Sequence, residues 1–116
     1  KKALKVRRLI VDTFNDAFSR CDAILGPTTP ATAHTISGNN NSEHVSVNAD
    51  KYTLPANIAG LPAISVPCGF DHNGLPIGMQ LTGKPFGESM LLRIAYTFER
   101  NTSFHKRRPK IREGQI

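Results

Sequence analysis

An α/β arrangement of two longer helices, one short helix and about three strands is predicted from three observations. Apolar residues recur at spacings of three and four in two separate stretches. Two later runs alternate or run apolar on either side of a turn-forming Asp71-His-Asn-Gly74. A short apolar segment between them and the first helical stretch is closed by Gly26-Pro27.

The first helix spans roughly residues 3 to 20, where Val6, Leu9, Ile10, Phe14, Ala17, Phe18 and Cys21 form a stripe and Arg7, Arg8, Asp12, Asp16 and Arg20 fall largely elsewhere. Cys21 to Gly26 then reads as a buried strand, stopped by Gly26-Pro27, with Pro30 stiffening the Thr28-Thr29 corner. Residues 31 to 50 are rich in Thr, Ser, Asn and His, show no sustained period, and are expected to form a surface loop. A short helix is expected over Tyr52 to Gly60, with Pro55 tolerated in its first turn and Gly60 ending it.

Residues 63 to 70 and 76 to 83 form the expected hairpin. Pro67 demotes the first of these strands to an edge or a bulge. The second long helix covers roughly Glu88 to Arg100, with Met90, Leu91, Ile94, Ala95 and Phe98 as its stripe, and a basic tail follows over residues 105 to 116. The whole chain, 1 to 116, reads as one portion of a single domain. So few strands make a poor core alone and call for neighbours.

Composition narrows the function classes. With 39% hydrophobic residues and no apolar run near the roughly 20 needed to span a bilayer, a soluble protein without membrane contact is expected. Cys21 and Cys68 lie far apart and match neither a metal knuckle nor a disulfide framework, so a reducing cytoplasm is expected, with an organellar compartment open. The net charge of +6 is concentrated at the ends: residues 9 to 104 carry five basic and eight acidic side chains. One reading is therefore a small basic protein that binds nucleic acid through both ends, although a short basic tail is usually solvated and Phe104 is the one aromatic beside it.

Two further groups of residues carry no catalytic pattern. His34, His44, His72 and His105 fit no metal spacing and read as solvated or structural, and Cys68 as an inert buried thiol. None of Ser19, Ser37, Ser42, Ser46, Ser65, Ser89 and Ser103 sits in the glycine- and serine-rich loop an activated hydroxyl needs.

The stretch Tyr52-Thr-Leu-Pro-Ala-Asn-Ile-Ala-Gly-Leu-Pro-Ala-Ile-Ser-Val-Pro-Cys-Gly69, followed by Asn73-Gly-Leu-Pro-Ile-Gly-Met-Gln-Leu-Thr-Gly-Lys-Pro-Phe86, resembles the C-terminal region of the amidase-signature family. Gly26-Pro-Thr-Thr-Pro30 and His105-Lys-Arg-Arg-Pro109 look most like its tRNA-dependent amidotransferase branch. The resemblance runs from residue 3 to Pro109. It implies a large mixed sheet covered by helices, and a catalytic serine, second serine and lysine that all lie outside this stretch, so that the chain alone is expected to be inactive. In that branch the enzyme takes ammonia from glutamine to convert Glu-tRNA(Gln) to Gln-tRNA(Gln) with two further subunits, B and C, while ATP and magnesium are used by the partner subunit. No cofactor is implied for this portion.

The resemblance also implies a substrate contact. Asp50, in Asp50-Lys-Tyr-Thr-Leu-Pro55, matches the family's aspartate that receives the ammonium of glutamine. Thr28 and Thr29 either line the active-site cleft or serve only as a stiff corner. Another amide hydrolase of the same family, acting without tRNA, is the alternative within enzymes.

Overall fold

The computed structural model describes residues 1–34 and 50–109. The expected loop is therefore described only at its ends. His44 and the Asn-rich Gly38 to Ser42, like Lys110 and Arg112 in the tail, lie outside the described residues.

Helix α1 (Lys2–Phe18) leads into β1 (Ala23–Pro27). Helix α2 (Leu54–Ala59) precedes β2 (Ala63–Phe70), β3 (Pro76–Gly83) and α3 (Glu88–Arg100). A 3₁₀ turn follows at Phe104–Lys106. The α/β arrangement is as expected; within it the three strands lie in the order β1-β3-β2 with both pairings antiparallel.

Pro67 has the consequences expected of it, because β2 is an edge strand and its register with β3 shifts between Pro67 and Gly69. β1 differs from expectation by running through Pro27, opposite Met79. The reason is directional. The Thr28 N–H donates to the Gly78 carbonyl at 3.1 Å, so by alternation the nitrogen of Pro27 faces away from β3, where a missing N–H costs no ladder bond.

Each face of the sheet meets different helices. Met79 and Leu81 of β3 and Val66 of β2 pack with Leu91 and Ala95 of α3, and Leu81 and Leu91 are 2% and 3% exposed. α3 begins with Glu88 and ends with Arg100, each placed favourably for the helix dipole. α2 is closed by Gly60 at φ 73, with the Leu61 N–H reaching the Ala56 carbonyl at 3.0 Å.

α1 buries its apolar residues mainly in its C-terminal half, with a polar tie nearer its start. Phe18 is buried and stacks on Phe14, and Arg7 Nε donates to the Ile58 carbonyl of α2 at 2.9 Å. Val6 and Leu9 remain 49% and 66% exposed, so the predicted apolar stripe is covered over only part of its length. No helix among the described residues is long and apolar enough to cross a membrane.

Candidate functional site

On the sheet face away from α3, Gly78, Gln80 and Thr82 of β3 point the opposite way from Met79 and Leu81. Thr28, just past β1, and Ser65, on β2, flank this row. Strands two places apart in a sheet are separated by about 9.5 Å, too far for ordinary short side chains on a flat ladder. Here Thr28 Oγ1 and Ser65 Oγ nevertheless meet at 2.7 Å.

Gly78 makes the meeting possible. A Cβ at that position would lie 2.8 Å from Ser65 Oγ and 2.9 Å from Thr28 Oγ1, closer than real Cβ contacts. The two hydroxyls bridge over the glycine and use one proton between them, leaving one O–H able to donate elsewhere. Among the described residues no serine hydroxyl bonds to a lysine or histidine; Ser65 bonds Thr28, and Ser19 Oγ donates to the Asp16 carbonyl.

Asp50 lies at the head of α2. Its carbonyl accepts from the Leu54 N–H at 2.8 Å, which places it in the turn that begins α2, and it is exposed. That turn is tied to the same sheet face, since Gln80 Nε2 donates to the Tyr52 carbonyl at 2.9 Å. Lys51, Tyr52, Gly26, Pro27 and Gln80 line one groove of about 180 Å³. The predicted Asp50 segment and the strand end leading to Thr28 are thus brought to one face.

Thr29 is separated from this group. It is exposed, its Oγ1 donates to the Ala31 carbonyl at 2.7 Å, and it lines a different groove of about 450 Å³ with Thr32, Asp71, His72 and Gly78. Asp71 organises that groove's floor. Its carboxylate accepts from the N–H groups of Asn73 and Leu75, both at 2.9 Å, and from Thr32 Oγ1 at 2.8 Å. These bonds, that of Leu75 foremost, hold its carboxyl below the usual carboxylate range.

Ser65 and Gly78 are the residues that sequence reasoning misses. Ser65 lacks the surroundings of a nucleophile, and nothing beside it in the chain suggests another role. The signal that does exist is Gly78, a glycine inside an alternating strand, which marks a close approach. Among the described residues no three His, Cys, Asp or Glu side chains converge as a metal site.

Comparison with known proteins places the chain in a family. A family model described as Amidase matches residues 1–92. The A subunit of glutamyl-tRNA(Gln) amidotransferase from Ruminiclostridium cellulolyticum is 54% identical over 111 residues, covering 96% of this chain and 23% of that relative. Its counterpart in Carboxydothermus hydrogenoformans is 52% identical over 95% of this chain and 22% of its own length. The chain therefore spans less than a quarter of the curated relatives it matches.

Among solved structures, the crystal structure of the same amidotransferase polypeptide from Thermotoga maritima superposes with a TM-score of 0.80 at 48% identity, over 87% of this chain and 22% of that one. Allophanate hydrolase of Kluyveromyces lactis gives 0.74 at 29% identity, over 92% and 19%. A 6-aminohexanoate cyclic dimer hydrolase gives 0.74 at 24%, over 90% and 24%, and so shares the fold.

Proposed function

Since this chain belongs to the amidase family, we propose that it serves as the C-terminal portion of a glutaminase subunit in a tRNA-dependent amidotransferase. The observation that carries this reading is the gap in identity: 48% to the Thermotoga maritima amidotransferase structure against 29% to allophanate hydrolase, at similar coverage of this chain.

In this proposal Asp50 binds the ammonium of glutamine. A carboxylate at the head of α2 makes a charge-assisted bond to a free amino acid and leaves a simple amide without a partner. Thr28, held by Ser65, presents a hydroxyl from the adjoining strand. The serine nucleophile, the second serine and the lysine that activate it belong to sequence outside this chain, as do ATP and magnesium, which the partner subunit uses. Ammonia passes to that partner, which amidates Glu-tRNA(Gln) within a cytoplasmic complex of this subunit with the B and C subunits.

The test is ammonia release from glutamine by the full-length enzyme carrying this segment. Asp50→Ala is expected to lower kcat/KM for glutamine by about 10- to 150-fold, the equivalent of losing one hydrogen bond to a charged group, roughly 1.5 to 3 kcal/mol. A variant that keeps its full rate on glutamine would remove Asp50 from the substrate. A wild-type enzyme that hydrolyses simple amides and ignores glutamine would overturn the glutaminase reading itself.

A further inference from the structure

A groove between the tip of the β2–β3 hairpin and the residues after α3 has no part in the chemistry above. It encloses about 320 Å³ and is lined by Phe70, Leu75, Phe104, His105, Arg107 and Arg108 among others. The chain returns over the hairpin because its aromatic rings associate: Phe104 lies 6.3 Å from both Phe70 and Phe98, stacked on the latter. The Arg107 guanidinium then sits 4.2 Å above the Phe70 ring, with its Nη2 3.4 Å from where a Cβ on Gly74 would be.

The electrostatics of this groove are one-sided. Lys106, Arg107 and Arg108 are all exposed, and the ion pairs found among the described residues involve other cations, Arg8, Arg20 and Lys84. Among the described residues no carboxylate lines the groove. His105 Nδ1 is buried there with no hydrogen-bond partner among the described residues.

We propose that this groove binds the phosphate backbone of RNA, which under the proposed function is the tRNA substrate; the inference rests on that tRNA-linked reading. A guanidinium laid flat on an aromatic ring keeps its N–H donors pointing outward in one plane, the geometry a phosphate accepts in bidentate fashion. Its rotamer is already fixed, so less freedom is lost on binding than for a solvated arginine. Arg108 and Lys106 extend the positive charge along the chain, and Phe104 lines the groove beside them. An acidic protein segment offers the same charge but makes no use of the aromatic wall.

The experiment measures tRNA affinity of the full-length protein, with its partner subunits where it is purified with them, over about 50 to 200 mM salt. Replacing Arg107→Ala and Arg108→Ala together is expected to reduce the slope of log K against log salt by about 1.4 to 1.8, at roughly 0.7 to 0.9 for each phosphate no longer neutralised. Glutaminase activity stays at the wild-type rate, and the paired Arg→Lys replacements keep the slope. Arg108→Glu alone, which leaves the Arg107–Phe70 stacking in place, is expected to weaken binding without moving the unfolding midpoint.

Lys2→Ala with Lys5→Ala removes equal charge from the other basic run and is expected to leave the slope in place. An equal fall in that control, or no fall in the arginine variants, overturns the proposal. Binding of polyglutamate and not tRNA, abolished in the arginine variants, overturns it in favour of an acidic protein partner. A wild-type enzyme without glutaminase activity defeats the enzymatic reading separately, whatever the slopes show.

Discussion

Gly78→Ala tests the geometry of the candidate site without touching a charged group. The added Cβ would lie 2.8 Å from Ser65 Oγ, 2.9 Å from Thr28 Oγ1 and 3.4 Å from Thr28 Cβ. On backbone grounds alone alanine is favoured, since it lowers the entropy of the unfolded chain by the equivalent of about 0.4 to 1 kcal/mol. Against this stands the Thr28–Ser65 hydrogen bond, worth about 0.5 to 1.5 kcal/mol, together with overpacking of about 1 to 3 kcal/mol. Ser65 can turn its hydroxyl away at the cost of the bond. Thr28 can turn only by bringing its methyl group or hydrogen into the oxygen's place, with its N–H still bound to the Gly78 carbonyl at 3.1 Å. The net expectation is a loss of about 1 to 2 kcal/mol.

A double-mutant cycle separates this mechanism from a general dislike of alanine in the strand. In a Ser65→Ala background the nearest oxygen is gone and the Thr28–Ser65 bond is already lost, so Gly78→Ala is expected to cost less by about 1 kcal/mol, which is the coupling. Urea unfolding of the full-length protein reads it as a shift in midpoint at constant m-value. If the two substitutions add within about 0.5 kcal/mol, the hydroxyls do not meet over Gly78 and the bridge is refuted.

Other expectations are independent of that site. Leu91→Ala removes a side chain from a residue 3% exposed that rests against Gly83, and is expected to cost about 2 to 5 kcal/mol in the same unfolding assay; a cost under about 1 kcal/mol would place the core elsewhere. Phe86 holds φ 59 while 95% exposed, so Phe86→Gly is expected to stabilise by about 0.5 to 1 kcal/mol, and a marked loss would show that the ring packs against something. Asp71 has a folded-state pKa below its unfolded value, so its contribution is present above the unfolded pKa and lost as pH falls through the folded one. The destabilisation by Asp71→Asn is therefore expected to be largest near neutral pH and to fade in acid; a penalty independent of pH would mean that the carboxylate charge is not what the turn uses.

How far the sequence can be read differs by element, for identifiable reasons. β2, β3 and α3 fall where periodicity and the Asp71–Gly74 turn place them, because those signals are local and the structure satisfies them locally. β1 is misjudged at its end because proline is a strand breaker only when its nitrogen faces a neighbour, and which way Pro27 faces depends on its pairing with Met79 of β3, far along the chain. α1 is correctly helical, but its stripe says nothing of how much will be covered, and Val6 and Leu9 are not.

The site is less legible than the fold for the same reason carried further. Ser65 is ordinary in sequence, and Gly78 signals a close approach without saying what approaches; both meet Thr28 because β3 inserts between β1 and β2, an order that no local pattern specifies. Lys106 to Arg108 likewise carry the composition of a solvated tail. They become an ordered cationic surface once Phe104 finds the rings of Phe70 and Phe98, contributed by the hairpin strand and the preceding helix. In both places the informative residue is the one that lets others approach, Gly78 for the hydroxyls and Phe104 for the arginine. Close approach of distant segments is the property that spacing along a chain does not record, and it is where substitutions should be aimed first.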